Sequence, residues 1–373
     1  MASAKGSKKT KDADAEPKIA HPRTARDLLA HDDAEQVLAR AWQSGRLPHA
    51  WLLTGPRGIG KATLAYRFAK VVLAGGGETG LFGDAPTGLE LDPEHPVARQ
   101  VAAGSHPDLF ALTPFMIREQ ASLKPSAEIL VEHVRKAVHF CFMTAASSEW
   151  RVVIVDPAED MNSNAANALL KVLEEPPRNA LILLVSHAPA RLLPTIRSRC
   201  AQLQVPALDE ATVLQLLQRH APELEEQDAR TLAQLSEGSV GRALQLHAAG
   251  GLQLYGQLVA LLTGLPRLDT GKMHAFADKL AAGNDPTAFR LGGELLSWWL
   301  ARLIRCRARG ETPADVVAGE GRAMADLAAR ADLEQWLGLW EKTSRLFGRA
   351  ERSNFDRKQV TLTAFLDLQA VVS

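Results

Sequence analysis

Short apolar runs alternate with longer amphipathic segments through the first half of the chain. Five runs are almost continuously apolar, as expected of strands buried on both faces of a sheet. They are Ala50–Thr54, Leu109–Leu112, Arg151–Asp156, Leu181–Ser186 and Ala201–Val205. Helical segments such as Ala62–Leu73 and Ser163–Leu173 lie between them, the second ending before Pro176. This alternation predicts an α/β fold with a parallel sheet flanked by helices.

After Val205 the pattern changes to amphipathic helical segments alone. They include Asp209–His220, Glu226–Ser236, Arg242–Ala248, Glu294–Arg307 and Leu333–Phe347. We therefore predict an α/β domain over residues 22–206, a small helical domain over 207–250 and an all-α domain over 251–373. Residues 1–21 have no apolar run and predict a disordered tail, whereas the Gly-, Pro- and Asp-rich residues 74–107 predict a surface loop.

Composition narrows the class of protein without identifying a partner. The 373 residues carry 43 Lys and Arg against 43 Asp and Glu, so net charge does not indicate nucleic acid or an anionic membrane. The cysteines Cys141, Cys200 and Cys306 are odd in number and lack CxxC spacing, which favours a reducing cytoplasm. No apolar run approaches the ~20 residues that span a bilayer, and no signal peptide is evident.

The stretch GPRGIGKAT, residues 55–63, follows the first predicted strand and opens the next helix. Gly55, Gly60 and Lys61 fit a phosphate-binding loop, in which backbone N–H groups and the lysine surround phosphates. Ala62 stands where such loops carry the Ser or Thr that holds Mg²⁺. Thr63 belongs to the same degenerate site, but one helical residue turns its side chain by roughly 100° away from the metal.

A second part of the candidate site ends the strand RVVIVD. Asp156 occupies the place of a magnesium-holding carboxylate, because a carboxylate at the end of a buried strand needs a cation or donors. Pro157 follows it, where an active ATPase would have a water-activating glutamate. Glu159 and Asp160 are expected on an exposed turn. With two catalytic parts missing, we do not expect efficient ATP hydrolysis by this chain.

Three polar residues complete the candidate set, namely Arg199, Ser186 and Arg242. The segment LPTIRSRC places Arg197 and Arg199 at a loop edge between two strands. Ser186 ends the strand LILLVS, where either a γ-phosphate sensor or an ordinary turn cap is expected. Arg242 lies in the first turn of a helix, where the macrodipole disfavours a cation and so mildly favours a functional role.

Together, HAWLLTGPRGIGKATLA, WRVVIVDPAEDMNSNAANALLKVLEEPP, the SRC segment and GSVGRAL resemble the AAA+ clamp-loader family, and within it the delta-prime subunits of bacterial DNA polymerase III. The resemblance covers about residues 22–250. It implies a P-loop core, a helical lid and an all-α collar that oligomerises. It also implies that Arg199 reaches the ATP of a neighbouring subunit, while Gly55, Gly60, Lys61, Thr63, Asp156, Ser186 and Arg242 form a degenerate nucleotide site.

The resemblance further implies the partners. They are the delta and gamma/tau subunits of a hetero-pentamer, with the sliding clamp and primed DNA reached through the complex, in a cytoplasmic replisome. Delta-prime is the stator of that complex, and a polymerase active site is not expected in this chain. An active gamma/tau-type motor subunit is the alternative, although it would carry Ser or Thr at 62 and Glu at 157. A stand-alone P-loop enzyme such as a small-molecule kinase is a third hypothesis. It leaves the SRC segment and the helical tail without a function.

Metal and cofactor expectations are negative or open. Relatives often carry a four-cysteine zinc module before the HPDL segment, but residues 74–107 contain no cysteine, so zinc is not predicted. ATP binding by the degenerate loop is left open. In the helical tail, Trp298 and Trp299 predict an apolar helix too broad for one core face, part of it facing another subunit. The run of Arg302, Arg305, Arg307 and Arg309 is interpreted as a solvated face rather than a DNA contact.

Overall fold

A computed structural model describes residues 21–25, 27–75, 89–113, 128–283, 285–352 and 355–373. The predicted tail lies outside the described residues except for residue 21, as does the 76–88 part of the predicted loop. The chain forms two compact units. One holds the described residues as far as Leu216 together with Glu237–Arg242, and the other holds Leu217–Ser236 and Ala243–Ser373. The finer division into three domains stays a prediction.

The first unit is built on a five-stranded parallel sheet in the order β2-β3-β4-β1-β5. Its strands are β1 (Ala50–Thr54), β2 (Leu109–Leu112), β3 (Arg151–Val155), β4 (Ala180–Ser186) and β5 (Ala201–Gln204). Its helices are α1 (Asp32–Gln43), α2 (Lys61–Leu73), α3 (Pro96–Ala103), α4 (Val131–Phe142), α5 (Ser163–Glu174) and α6 (Pro194–Arg197), and α7 (Glu210–His220) begins in it. The predicted α/β sheet is confirmed.

Apolar residues cover both faces of this sheet, which explains why its strands have no polar alternation. β3 and β4 are buried along their whole length. Alternate residues of a strand enter opposite cores: Val152 and Ile154 pack in the core with α1 and α2, whereas Val153 and Val155 pack in the core with α4 and α5. The sheet therefore holds the ends of its strands in fixed register.

The prediction of a plain loop over residues 74–107 was wrong for its second half, where α3 forms. His95 caps this helix by accepting a hydrogen bond from the Val97 N–H at 3.2 Å, and Pro96 occupies its first position. Gly104, with φ of 73°, ends it. Two small apolar residues of α3, Ala98 and Val101, are buried. Because eight residues are too few to give a clear helical period, only the capping residues indicate this helix in the sequence.

The regular elements in the described residues of the second unit are all α-helices. It holds α8 (Glu226–Leu235), most of α9 (Val240–Ala248), α10 (Gly251–Leu262), α11 (Thr270–Ala281), α12 (Thr287–Arg309), α13 (Glu320–Ala328), α14 (Leu333–Arg352) and α15 (Arg357–Val372). The central helix α12 packs against α10, α11, α13 and α14. Among the described helices, none combines the length and apolar character needed to cross a membrane.

Two expectations for α12 are corrected. Its apolar residues are covered within its own unit, because Trp298, Trp299 and Leu303 are all buried there. Arg302 is also not a solvated residue, since its side chain is only 11% exposed and its Nη1 donates to Glu320 Oε1 at 2.7 Å. Its guanidinium lies 4.7 Å from the centre of the Trp298 ring. The other three arginines of the run are exposed.

Candidate nucleotide-binding edge and exposed arginine

The loop between β1 and α2 is fixed by close backbone packing. Gly55 and Gly60 have φ values of 144° and 108°, which strongly favour glycine. A Cβ on Gly55 would lie 2.1 Å from the Val205 carbonyl oxygen, and one on Gly58 would lie 2.5 Å from Ser239 Oγ. The Gly241 N–H donates to the Gly58 carbonyl at 2.9 Å. The glycines of this loop are thus required by the fold itself.

Lys61, the first residue of α2, is buried and turned back onto its own loop. Its Nζ donates to the Gly55 carbonyl at 2.7 Å and also to the Pro56 carbonyl. Burial lowers the pKa of Lys61 to about 8, while the negative charge of Asp156 acts in the opposite direction. The ammonium that would meet phosphate oxygens is therefore already bound by the chain.

Asp156 follows β3 and is electrostatically coupled to Lys61, as the strand order requires. Burial is the main cause that raises the pKa of the Asp156 carboxyl to about 6, and the charge of Lys61 partly offsets it. β3, β4 and β1 are neighbours in one parallel sheet, so their carboxyl ends meet at one edge. The structure brings Lys61, Asp156 and Ser186 together at this edge.

Glu159 was expected on an exposed turn, but it is partly buried and hydrogen-bonded. Its Oε1 accepts hydrogen bonds from the His187 N–H at 2.8 Å and the Ala188 N–H at 3.0 Å. Burial alone would raise the pKa of this carboxyl, but hydrogen bonds from its own N–H, the His187 N–H and the Ser186 side chain lower it. Burial also lowers the pKa of His187 to about 4. Glu159 ties the segment after β3 to the end of β4.

Ser186 and Arg242 lie at the same end of the sheet as the loop. Ser186 is fully buried at the end of β4, opposite Thr54 in register, and its hydroxyl is one of the groups that lower the pKa of the Glu159 carboxyl. The backbone of Arg242, rather than its side chain, lies close to the loop: its nitrogen is 3.3 Å from the position that a Cβ on Gly58 would take. Its Nη1 is 3.9 Å from Glu237 Oε2. The side chain of Thr63, in the first turn of α2, is half-buried.

Arg199 occupies a different place, between α6 and the start of β5. Its guanidinium side chain is 36% exposed. Nη1 donates to the Thr195 carbonyl at 3.1 Å, and Nη2 lies 2.8 Å from Glu174 Oε1 at the end of α5. Neighbouring Cys200 is buried, which raises the pKa of its thiol to about 12. The fold presents Arg199 to solvent on a well-anchored loop.

The sheet separates Arg199 from the phosphate-type loop of the same chain. β5 runs parallel to β1 with Ala201 opposite Trp51, and Arg199 lies two residues before Ala201. Gly55 lies four residues after Trp51, which is about 13 Å along the strand at ~3.3 Å per residue. Arg199 is therefore at the amino edge of the sheet and Lys61 at the carboxyl edge, further apart than one arginine side chain reaches.

Metal chemistry has no candidate ligand set within the described ranges, where no group of three or more His, Cys, Asp or Glu side chains could hold an ion. The three cysteines are free and buried. Sequence reasoning missed the bonds of Glu159 to the end of β4 and the pairing of Glu174 with Arg199. No local pattern could have revealed either, because the partners are 28 and 25 residues apart.

Comparison with known proteins shows what the first half of the chain is similar to. Residues 30–209 match the family model described as DNA polymerase III, delta subunit. Over 211 residues the chain is 42% identical to the DNA polymerase III subunit delta' of Pseudomonas aeruginosa, covering 57% of this chain and 59% of that relative. This part of the chain is similar to the delta' subunits of bacterial DNA polymerase III. The delta' subunit of Yersinia pestis is 35% identical over 174 residues, covering 47% of this chain and 46% of the relative.

Matches outside the delta' family have lower identity. The DNA polymerase III subunit tau of Escherichia coli is 28% identical over 281 residues, covering 73% of this chain and 40% of the relative. The chain thus spans about half the length of the curated relatives that it matches. A gamma subunit-related protein of Thermotoga maritima has a similar solved structure, at 16% identity and a TM-score of 0.43, covering 90% and 99% of the two chains. A likeness at this TM-score adds nothing to the assignment.

Proposed function

We propose that this chain is the delta'-type stator of a bacterial clamp loader. In this role it donates Arg199 to ATP held by a neighbouring motor subunit and hydrolyses little or no ATP itself. The partners are the delta and gamma/tau subunits, in a hetero-pentamer that loads a sliding clamp onto primed DNA in the cytoplasm. The similarity of residues 30–209 to the DNA polymerase III delta subunit model, and of the chain to delta' subunits, supports this assignment.

The observation that carries the proposal is the separation of Arg199 from the chain's own loop. A guanidinium that stabilises transition-state charge must contact the transferring phosphoryl group. Arg199 lies at the opposite edge of the sheet from Lys61 and is exposed. This separation supports a role for Arg199 on a nucleotide bound by another subunit rather than on one bound by Lys61.

The residues of the loop edge do not fit a magnesium-bound nucleotide that is to be hydrolysed. Ala62 offers no hydroxyl to a metal, and Pro157 stands at the position of the water-activating glutamate. Glu159 is no substitute, because its carboxylate is held by the His187 and Ala188 N–H groups. Lys61 is bound by loop carbonyls.

ATP turnover tests the proposal. The purified chain should show no turnover above background, and the complex assembled with motor subunits should show DNA-stimulated turnover. Arg199→Ala should reduce hydrolysis at the site it serves by roughly 10³-fold or more. Arg99→Ala, an exposed arginine on α3, is the matched control and should have no effect. Brisk hydrolysis by the isolated chain would instead favour a motor subunit.

A further inference from the structure

The side chain of Glu174 is the closest charged partner of Arg199 in the structure. Oε1 of Glu174 lies 2.8 Å from Nη2 of Arg199, and the two side chains are 48% and 36% exposed. On the other side, Nη1 of Arg199 donates to the Thr195 carbonyl of α6. The guanidinium is thus held between the end of α5 and the turn of α6, two elements that pack against each other.

The position of Glu174 is unfavourable for its own helix. It is the last residue of α5, where the negative end of the macrodipole disfavours an anion. The helix has other stabilising features, since Asn162 caps its start by accepting the Ala165 N–H at 2.9 Å, and five of its residues are buried. The carboxylate at residue 174 therefore does not serve to stabilise α5. The contact that its charge does make is the ion pair with Arg199.

From this geometry we infer that Glu174 is a positioning residue for Arg199: it holds the guanidinium in one orientation before the neighbouring nucleotide is met. This inference rests on the proposed function. A free arginine side chain must lose rotamer freedom when it contacts a phosphate, and an arginine already held in place loses less. Both groups remain partly exposed, so the guanidinium keeps access to a partner.

The exposure of the ion pair determines how much turnover should be lost when the pair is broken. Exposed ion pairs contribute little in water and are screened by salt, so the expected effect is about two- to fivefold. Because Arg199 acts on charge that develops during phosphoryl transfer, the loss should fall on kcat and leave KM for ATP unchanged. Glu174→Gln keeps the shape of the side chain and removes only its charge.

The experiment compares DNA-stimulated ATP turnover of the full complex carrying wild type, Glu174→Gln, Arg199→Ala or both substitutions. We expect kcat to fall about two- to fivefold in Glu174→Gln, with the loss shrinking as ionic strength rises. In the Arg199→Ala background, Glu174→Gln should cause no further loss, since a positioning residue acts only through the group it positions. The thermal midpoint of Glu174→Gln should equal or exceed that of wild type.

The matched control is Glu175→Gln, which removes the same charge one residue further on and leaves the ion pair intact. It should retain wild-type turnover. Unchanged or faster turnover in Glu174→Gln, an equal loss in Glu175→Gln, or an additive loss with Arg199→Ala would each overturn the role of Glu174 while leaving the proposed function standing. Wild-type turnover in Arg199→Ala would reject the proposed function, and this inference with it.

Discussion

The two edges of the parallel sheet use their charged groups in opposite ways. At the carboxyl edge, Lys61 is buried against loop carbonyls, and Glu159 binds N–H groups of the next strand end. At the amino edge, Arg199 stays exposed and is held by a surface pair with Glu174. The charged groups of the carboxyl edge are thus bound within the chain, whereas the cation of the amino edge remains accessible to solvent.

The largest expected effect is a loss of stability when the backbone packing at the carboxyl edge is disrupted. Gly55→Ala would place a Cβ 2.1 Å from the Val205 carbonyl at a φ of 144°. We expect a loss of about 3 kcal/mol or more in the free energy of unfolding, measured by urea denaturation. Gly75→Ala is the control, because a φ of 77° is strained for alanine but no atom of the described residues lies within 4 Å of the added Cβ; it should cost about 1–2 kcal/mol. Equal losses would contradict the packing role of the loop.

A smaller effect concerns the charge of Asp156 at the same edge. Its folded pKa of about 6 exceeds the ~3.9 of an unfolded aspartate, so between these values the folded chain binds more protons than the unfolded chain. This contribution to stability is therefore lost as pH rises from about 4 to 6. Asp156→Asn removes the ionisation, and we expect it to be more stable than wild type by about 1–3 kcal/mol at pH 7 and by little at pH 4.

Urea denaturation at the two pH values measures this difference. Asp160→Asn provides a comparison at a less buried carboxyl whose pKa is also raised by burial, and its stabilisation should be smaller. If Asp156→Asn is less stable than wild type at pH 7, the carboxylate is bound more favourably than its burial indicates, and the account of this edge would have to change.

The smallest expected effect is on catalysis by the isolated chain. Ala62→Ser restores a hydroxyl at the start of α2, yet we expect no gain in ATP turnover. Glu159 would remain bound to the end of β4, and Pro157 would still occupy the position of the water-activating residue. Thr63→Ala should likewise change nothing. Turnover appearing in Ala62→Ser would mean that a single missing group, rather than a rearranged edge, prevents hydrolysis.

Local pattern predicted the sheet well and the pairing of its charged groups poorly. The five strands lie within one residue of their predicted ends, because burial on both faces leaves a run of apolar residues that sequence displays directly. The convergence of Lys61, Asp156 and Ser186 follows from parallel strands. The helix α3 was missed because its eight residues are too few for a clear period.

Long-range partners account for the other differences. Arg302 belongs to a run of like charges that indicates a solvated face, but it pairs with Glu320, which is fully buried on the next helix. Glu159 and Glu174 likewise bind groups more than 20 residues away. Such contacts depend on how elements pack, and neither composition nor periodicity encodes them. The sequence identified which residues carry charge at the site, and the fold determined what each charge meets.

The most direct test compares two substitutions in the assembled clamp loader. Lys61→Ala removes the cation of the carboxyl edge, and Arg199→Ala removes that of the amino edge. If the chain serves a neighbour's nucleotide and not its own, DNA-stimulated ATP turnover should collapse in the complex with Arg199→Ala and stay within about twofold of wild type with Lys61→Ala, a loss too small for a phosphate contact in catalysis. The reverse pattern, loss with Lys61→Ala and normal turnover with Arg199→Ala, would contradict the account.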